Sequence, residues 1–257
     1  MEANLNCDLG EESIHYNGKN DKKLLTIVNT ANIACGYHAG NPGVMRQTIV
    51  LAKKNNVSIG AHPGFEDKEN FGRKRINLEK KVLKKLITDQ VEILCKVAKE
   101  ENCPVIHVKP HGALNNMACE DFELSLTIGQ AIREFDKNLI YMVLPLTEME
   151  NAAKKLKIQY ACEIFADRNY DDNGFLLSRH KKNAIISDPF LAYQNVAKML
   201  NDNSIYSYSG KKIPCEIDSI CIHGDNENAV NISKTIKSNL EKDGICFKQL
   251  NKIKKFK

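Results

Sequence analysis

The stretch VIHVKPHGALNN, Val105 to Asn116, opens as a buried β-strand and ends in two histidines, a lysine, a Pro and a Gly. Polar chemistry at the C-terminal end of one apolar strand is an accident of packing unless other strands repeat it, and they do. Six further apolar runs have strand length: ANLNC (Ala3 to Cys7), ANIAC (Ala31 to Cys35), VSIGA (Val57 to Ala61), LIYMVL (Leu139 to Leu144), YACEIFA (Tyr160 to Ala166) and SICI (Ser219 to Ile222). Most are followed by His, Asp, Glu or Arg close to a Gly or Pro.

Between these runs lie segments of helical period. NPGVMRQTIVLAKKNN begins with Asn41 as a cap and Pro42 at the first helical position. Val82, Leu83, Leu86, Ile87, Val91, Leu94 and Ala98 form one apolar stripe in the next, and a third runs from an Asn226 cap to Gly244. Strict alternation of strand and helix predicts parallel strands. An open doubly wound sheet and a closed barrel both satisfy it, but neither GxGxxG nor GxxxxGK[ST] occurs, whereas strand-end chemistry from many loops is how barrels build active sites. The expectation is an α/β fold, a TIM-like barrel of seven strands formed by residues 1–257 as one domain. An insertion is expected at about 175–214, holding the helix DPFLAYQNVAKML, capped by Asp188, and the hairpin-like IYSYSGKK.

The composition narrows the class. Hydrophobic residues at 42% and charged residues at 27% are ordinary globular usage, which excludes disordered and fibrous chains. No apolar run reaches membrane-spanning length, and the N-terminus lacks the basic-then-apolar order of a signal peptide, so a cytoplasmic protein without a membrane partner is expected. Nine cysteines, an odd number without a CxxC pair, argue against a disulfide framework. The net charge of +5 comes from Lys scattered among Glu and Asp, apart from the tail KIKKFK (Lys252 to Lys257); a solvated surface and a frayed end explain it better than a nucleic-acid groove.

Of seven histidines, His38, His62, His107, His111 and His223 fall in or just after strand runs, while His15 and His180 sit in polar surroundings as surface groups. Carboxylates join them: Asp8 and Glu11 after the first strand, Glu163 and Asp167 around the sixth, Asp225 after the seventh. Arginine is sparse, six residues, yet Arg73, Arg168 and Arg179 occur in these same loops, where a planar cation suits carboxylate or phosphate recognition. Taken singly, each has a plainer reading: His107 as a hydrogen-bonded structural residue, Asp167 and Arg168 as an ion pair at the barrel rim. Their gathering at one end of successive strands favours an active site. No GxSxG, HExxH or metal-type Cys pairing is present, which removes serine hydrolases and the common zinc proteases. Imidazoles among carboxylates supply acid, base and potential metal ligands, and hydrolysis or ring opening at a carbonyl fits them best.

Longer strings carry a resemblance. LNCDLGE (Leu5 to Glu11), ANIACGYHAGNP (Ala31 to Pro42), IGAHPGF (Ile59 to Phe65), FGR (Phe71 to Arg73), HVKPHGAL (His107 to Leu114), EIFADRNY (Glu163 to Tyr170) and ICIHGDNENAV (Ile220 to Val230) resemble, in order, the signature blocks of the LamB/YcsF family, the A subunits of bacterial ATP-dependent 5-oxoprolinase. The resemblance implies a distorted seven-stranded barrel akin to glycoside hydrolases and carbohydrate deacetylases. It implies an enzyme that opens the lactam of 5-oxo-L-proline to L-glutamate while hydrolysing ATP, with Mg as the nucleotide's counter-ion and two partner subunits, B and C. Two positions depart from the family pattern, Asn41 for an Asp and Asn115 for a Tyr. Asp8, His38, His62, His111, Asp167, His223 and Asp225 are the expected catalytic residues. Glu11, Arg73, Lys109, Glu163 and Arg168 are the expected substrate or phosphate groups. A protein-bound metal, if any, is expected on Asp8, His62 and His111. A metal-dependent deacetylase-like hydrolase and a non-catalytic lactam- or sugar-binding component are the alternatives.

Overall fold

In the computed structural model, which describes residues 1–257, the chain runs β1 (Glu2–Leu9), α1 (Asp21–Leu24), β2 (Thr30–Ala34), α2 (Pro42–Lys54), β3 (Ser58–His62), α3 (Lys80–Glu100), β4 (Val105–Val108), α4 (Gly112–Glu120), α5 (Phe122–Phe135), β5 (Ile140–Val143), α6 (Glu148–Leu156), β6 (Tyr160–Phe165), α7 (Pro189–Asp202), β7 (Ser204–Tyr206), β8 (Lys212–Pro214), β9 (Ser219–His223), α8 (Ala229–Lys242) and β10 (Cys246–Phe247). Strands β1, β2, β3, β4, β5, β6 and β9 pair in parallel in that order, and β9 pairs back onto β1 to close a seven-stranded barrel. These are the seven runs expected from the sequence. No helix is long and apolar enough to cross a membrane.

The helices start where the side chains dictate. Oδ1 of Asn41 accepts the amide N–H groups of Gly43 and Val44 at 2.9 and 3.1 Å, so Asn caps α2. Asp188 caps α7 through Leu191 at 2.6 Å. In α3, Leu83, Ile87, Val91, Leu94 and Ala98 are buried, but Val82 is 50% exposed. One residue of helix turns a side chain by about 100°, which carries Val82 off a stripe that starts at Leu83. The β6–β9 connection contains α7, packed on α8, and the antiparallel β7–β8 hairpin.

Alternation along the strands sorts the side chains into two environments. The outward-facing Leu5, Cys7, Ile33, Ile59, Val108, Tyr141, Ile164 and Ile222 join the apolar layer against the helices. The inward positions are polar and layered. Asn4, Thr30, Ser58 and Ser219 hydrogen-bond near the bottom, Asn6, Asn32, His107 and Glu163 in the middle, and Asp8 and Lys109 nearest the strand C-termini. Because the outer layer holds the fold, the interior is free to carry chemistry.

The C-terminal tail differs from its expected fraying. Leu250 and Ile253 are buried with Ile140, Met142 and Ala161, inward residues of β5 and β6. The Leu250 N–H donates to Thr30 Oγ1 at 3.2 Å, and Lys255 Nζ lies 2.7 Å from Asp218 Oδ2. The lysine-rich spelling of the tail masks an i, i+3 apolar pair that stoppers the bottom of the barrel.

Candidate active site

Register places the site. Asp8 of β1 pairs laterally with Asn32 on one side and His223 on the other, at the C-terminal rim. Above them opens a cavity of about 570 Å³ lined by Asp8, Glu11, His62, Lys109, His111 and His223, among others. Its mouth collects four of the six arginines, Arg73, Arg75, Arg168 and Arg179.

At the floor, Nζ of Lys109 lies 2.8 Å from Asp8 Oδ1, 3.1 Å from Glu163 Oε2 and 3.0 Å from Cys221 Sγ. Asp8 Oδ1 also accepts from Asn32 Nδ2 at 2.7 Å, and Glu163 Oε1 from Asn6 Nδ2 at 2.8 Å. Burial alone would raise the Asp8 carboxyl, but Lys109 and His62 outweigh it and hold Asp8 well below the usual carboxylate range. Burial does win at Glu163, which stays raised despite the same ammonium. Lys109 is pushed down by burial and carried above its ordinary value by Asp8, Cys221 and Glu163. The floor is therefore a fixed charge cluster, one cation shared by two carboxyls of unequal acidity.

Beside it lie four buried groups, Glu11, His38, His62 and His111, whose ligand-type atoms are all within 4.8 Å of one another. His62 Nδ1 is 2.7 Å from the Lys109 carbonyl and His111 Nε2 is 2.9 Å from the Phe71 carbonyl. A carbonyl only accepts, so these nitrogens carry the protons. The opposite nitrogens, His62 Nε2 and His111 Nδ1, face each other at 3.0 Å. Burial lowers His38 to about 4 and His62 to about 3, so both are neutral at physiological pH. Phe71, buried and non-glycine, holds φ +56° to aim its carbonyl, an arrangement that costs about 1–3 kcal/mol. Gly72 (φ +63°) follows because a Cβ there would stand 2.8 Å from His38 and 2.9 Å from His111.

On the opposite wall, His223 Nδ1 meets Asp167 Oδ1 at 2.9 Å and its ring stacks on Phe165. Burial raises Asp167, and His223 with Asn226 brings it below the ordinary range. Its Nδ1 thus engaged, His223 turns Nε2 to the cavity. Arg168 is 7% exposed and has no carboxylate partner; it donates to the carbonyls of Leu177 and Ala184. Burial and the neighbouring Arg179 lower it to about 10, still cationic at neutral pH. Arg73 and Arg179 share Asp225 at 2.7 and 3.8 Å.

Asp8, Glu11, His62, Lys109, His111, Arg73, Arg168, His223 and Asp225 face one cavity; His38, Glu163 and Asp167 stand directly behind it. The rim ion pair of Asp167 with Arg168 does not form, because Asp167 turns inward to His223. α8 begins at Ala229 after Asn228 and not at the cap expected at Asn226, whose Oδ1 accepts the Asn228 N–H at 3.0 Å in the preceding turn while its Nδ2 donates to Asp167 Oδ2 at 3.2 Å. Glu11, rather than Asp8, has a carboxylate oxygen near all three imidazoles: 3.4 Å from His38, 3.7 Å from His62 and 3.1 Å from His111. Sequence reasoning did not single out Asn6 and Asn32, which orient the floor, although their two-residue spacing from Asp8 and Ala34 marks them as inward. His107 is structural, its Nε2 2.6 Å from Asn32 Oδ1. His180, expected as a surface group, is exposed but stands at the mouth.

The LamB/YcsF family model matches residues 3–255. A curated relative from Clostridium beijerinckii, named as the A subunit of 5-oxoprolinase, is 42% identical over 98% of each chain. The crystal structure of a lactam utilization protein from Thermus thermophilus superposes with a TM-score of 0.90 at 33% identity, covering 96% of this chain and 99% of that one. A peptidoglycan N-acetylglucosamine deacetylase from Eubacterium rectale shares the fold alone, with a TM-score of 0.51 at 10% identity over 96% of this chain and 87% of that one. The chain belongs to the LamB/YcsF family.

Proposed function

We propose that this chain is the A subunit of an ATP-dependent 5-oxoprolinase, opening 5-oxo-L-proline to L-glutamate with hydrolysis of ATP to ADP and phosphate, alongside two partner subunits. The observation that carries the reading is one cavity that combines a fixed Lys109–Asp8–Glu163 floor, a His223–Asp167 dyad and a cationic mouth. It occurs in a chain whose relatives bear that subunit's name.

The chemistry assigns work to these groups. A five-membered lactam resists water, and transfer of the γ-phosphoryl group to its amide oxygen makes the carbon electrophilic. Water then adds and loses a proton. The adduct has two exits: expelling phosphate regenerates the lactam, whereas breaking C–N yields the acyl phosphate, which a second water cleaves to glutamate and phosphate. Protonating the ring nitrogen decides the exit, and His223, held by Asp167, is the group we assign to it. Arg168, with Arg179 nearby, holds the substrate carboxylate; Lys109 and Arg73 face the phosphoryl oxygens that develop charge. The sequence has no glycine-rich phosphate cradle, so MgATP is held between this chain and a partner.

The test is ADP release dependent on 5-oxoproline, by the chain alone and with its partner subunits. We expect none from the chain alone and turnover from the assembly. An assembly that releases no ADP on adding 5-oxoproline overturns the reaction, and full turnover by the chain alone overturns the shared nucleotide site. The Glu11–His62–His111 cluster favours one second reading, a metal-dependent amide hydrolase of the deacetylase kind, which would cleave acetylated amino sugars without ATP.

A further inference from the structure

We infer that Glu11, His62 and His111 form a binding site for one divalent transition-metal ion of the zinc class, open on its fourth side to the cavity. Three acceptors converge there with too few donors. Glu11 Oε1 has no aligned hydrogen-bond partner, although it is buried. His62 Nε2 and His111 Nδ1 present lone pairs, because each ring spends its proton on a backbone carbonyl. The three atoms make a triangle with sides of 3.0, 3.1 and 3.7 Å. Ligand atoms at about 2.1 Å from a tetrahedral ion stand about 3.4 Å apart, so the triangle has the right size.

Backbone carbonyls behind both imidazoles are the outer support that metal-ligating histidines ordinarily have. A proton on His111 Nδ1 would relieve part of the crowding, since it would bond His62 Nε2. One proton cannot bond both His62 Nε2 and Glu11 Oε1 along their axes, whereas a dication satisfies all three acceptors. His38 belongs to the support: its ring lies 3.8 Å from that of His111 and within 6° of parallel, so its lone pairs do not converge with the others. Its Nε2 stands 3.4 Å from Glu11 Oε1 without an aligned hydrogen bond. Asp8 Oδ2, 3.5 Å from His62 Nε2, is already held in the Lys109 cluster. Two imidazoles and one carboxylate suit Zn²⁺, Co²⁺, Ni²⁺, Mn²⁺ or Fe²⁺ over Mg²⁺ or Ca²⁺, which prefer all-oxygen sets.

The test needs no catalytic activity. The full-length chain, stripped with chelator and exchanged into metal-free buffer, is titrated with Zn²⁺ by calorimetry and with Co²⁺ by visible absorption. Elemental analysis follows reloading. We expect one ion per chain, with Glu11→Gln, His62→Gln and His111→Gln each weakening binding at least tenfold while circular dichroism reports an unchanged fold. Asp218→Asn, in the separate Cys162–Glu216–Asp218 group, should leave it unchanged. Absence of stoichiometric binding of either ion to the wild-type chain overturns the inference whatever the variants do, and so does binding that survives in all three variants. The inference stands apart from the reaction. Metal-free chain supporting full 5-oxoproline-dependent ADP release overturns a need for the ion while upholding the reaction, and stoichiometric binding without any such release does the reverse.

Discussion

Lys109 Nζ sits 2.8 Å from Asp8 Oδ1 with both residues under 5% exposed, and the same ammonium lies 3.1 Å from Glu163. The ammonium is the one Lys or Arg paired with these two buried carboxyls, each of which also has an amide donor, from Asn32 and Asn6 respectively. In Lys109→Met both are left buried without it, and we expect a loss of about 3–5 kcal/mol. The pH dependence should change sign. In the wild type the Asp8 carboxyl lies below its unfolded value of about 3.9, so its stabilisation is present above that pH and erodes only as pH falls through the folded value. Without Lys109, burial raises both carboxyls, and protonation relieves them. Melting curves at about pH 7.5 and 5.5 should show the variant gaining on the wild type at the lower pH; a constant difference would refute the assignment.

His107 loses its contribution to stability with falling pH as Asp8 does, but through burial of a neutral ring and at higher pH. Burial lowers it to about 3, so the folded protein keeps the neutral ring while the unfolded chain takes up a proton near pH ~6.5. Its contribution is complete above that pH and falls as pH drops toward the folded value, by about 1.4 kcal/mol per pH unit. His107→Gln keeps a donor for Asn32 and removes the titration. Denaturant midpoints from neutral pH to about 5 should fall more steeply in the wild type than in the variant, and parallel curves would exclude a neutral buried ring.

Asp167→Asn separates orientation from binding. The amide cannot hold the His223 Nδ1 proton as the carboxylate does at 2.9 Å. We expect kcat of the assembled enzyme to drop by about 10²–10⁴ with KM for 5-oxoproline nearly unchanged. A change confined to KM would place His223 in substrate binding instead.

Arg168 should report the substrate carboxylate. Its guanidinium holds the Leu177 and Ala184 carbonyls and still has donors for the cavity; a lysine cannot do both. Arg168→Lys should raise KM for 5-oxoproline by about tenfold or more, as expected for losing a bidentate, charge-assisted contact. The carboxamide analogue of the substrate should bind the two enzymes equally. Equal loss for acid and amide would remove the carboxylate from this contact.

The barrel was legible because its strands are short apolar runs that end in Gly, Pro and charge, and such runs in α/β alternation close in few ways. The site was legible at strand ends for the same reason. What escaped lies where one residue type serves two ends. Asn226 has the spelling of a helix cap, but its Oδ1 closes a turn onto the Asn228 N–H and the helix starts only at Ala229. Asp167 beside Arg168 spells an ion pair, yet adjacent residues leaving a strand point opposite ways. Glu11 and Asp8 are both strand-end carboxylates; only the turn after β1 decides which reaches the imidazoles, because Lys109 across the barrel claims Asp8.

The tail gives the last prediction. In KIKKFK four lysines surround Ile253 and Phe256, and charge dominates the composition, whereas Ile253 is 3% exposed against Ile140, Met142 and Ala161. If the tail closes the N-terminal end of the barrel, Ile253→Ala should cost about 2–5 kcal/mol, the usual range for emptying a buried aliphatic site. Lys257→Ala, at the exposed terminus, should stay within about 0.5 kcal/mol. The catalytic groups stand at the opposite end of the strands, so KM for 5-oxoproline in the assembled enzyme should be untouched by either change at temperatures where the variant is folded. Urea midpoints of the three proteins settle the matter. An Ile253→Ala midpoint equal to that of the wild type would mean that the tail frays in solution and that the polar layer of Asn4, Thr30, Ser58 and Ser219 meets water directly.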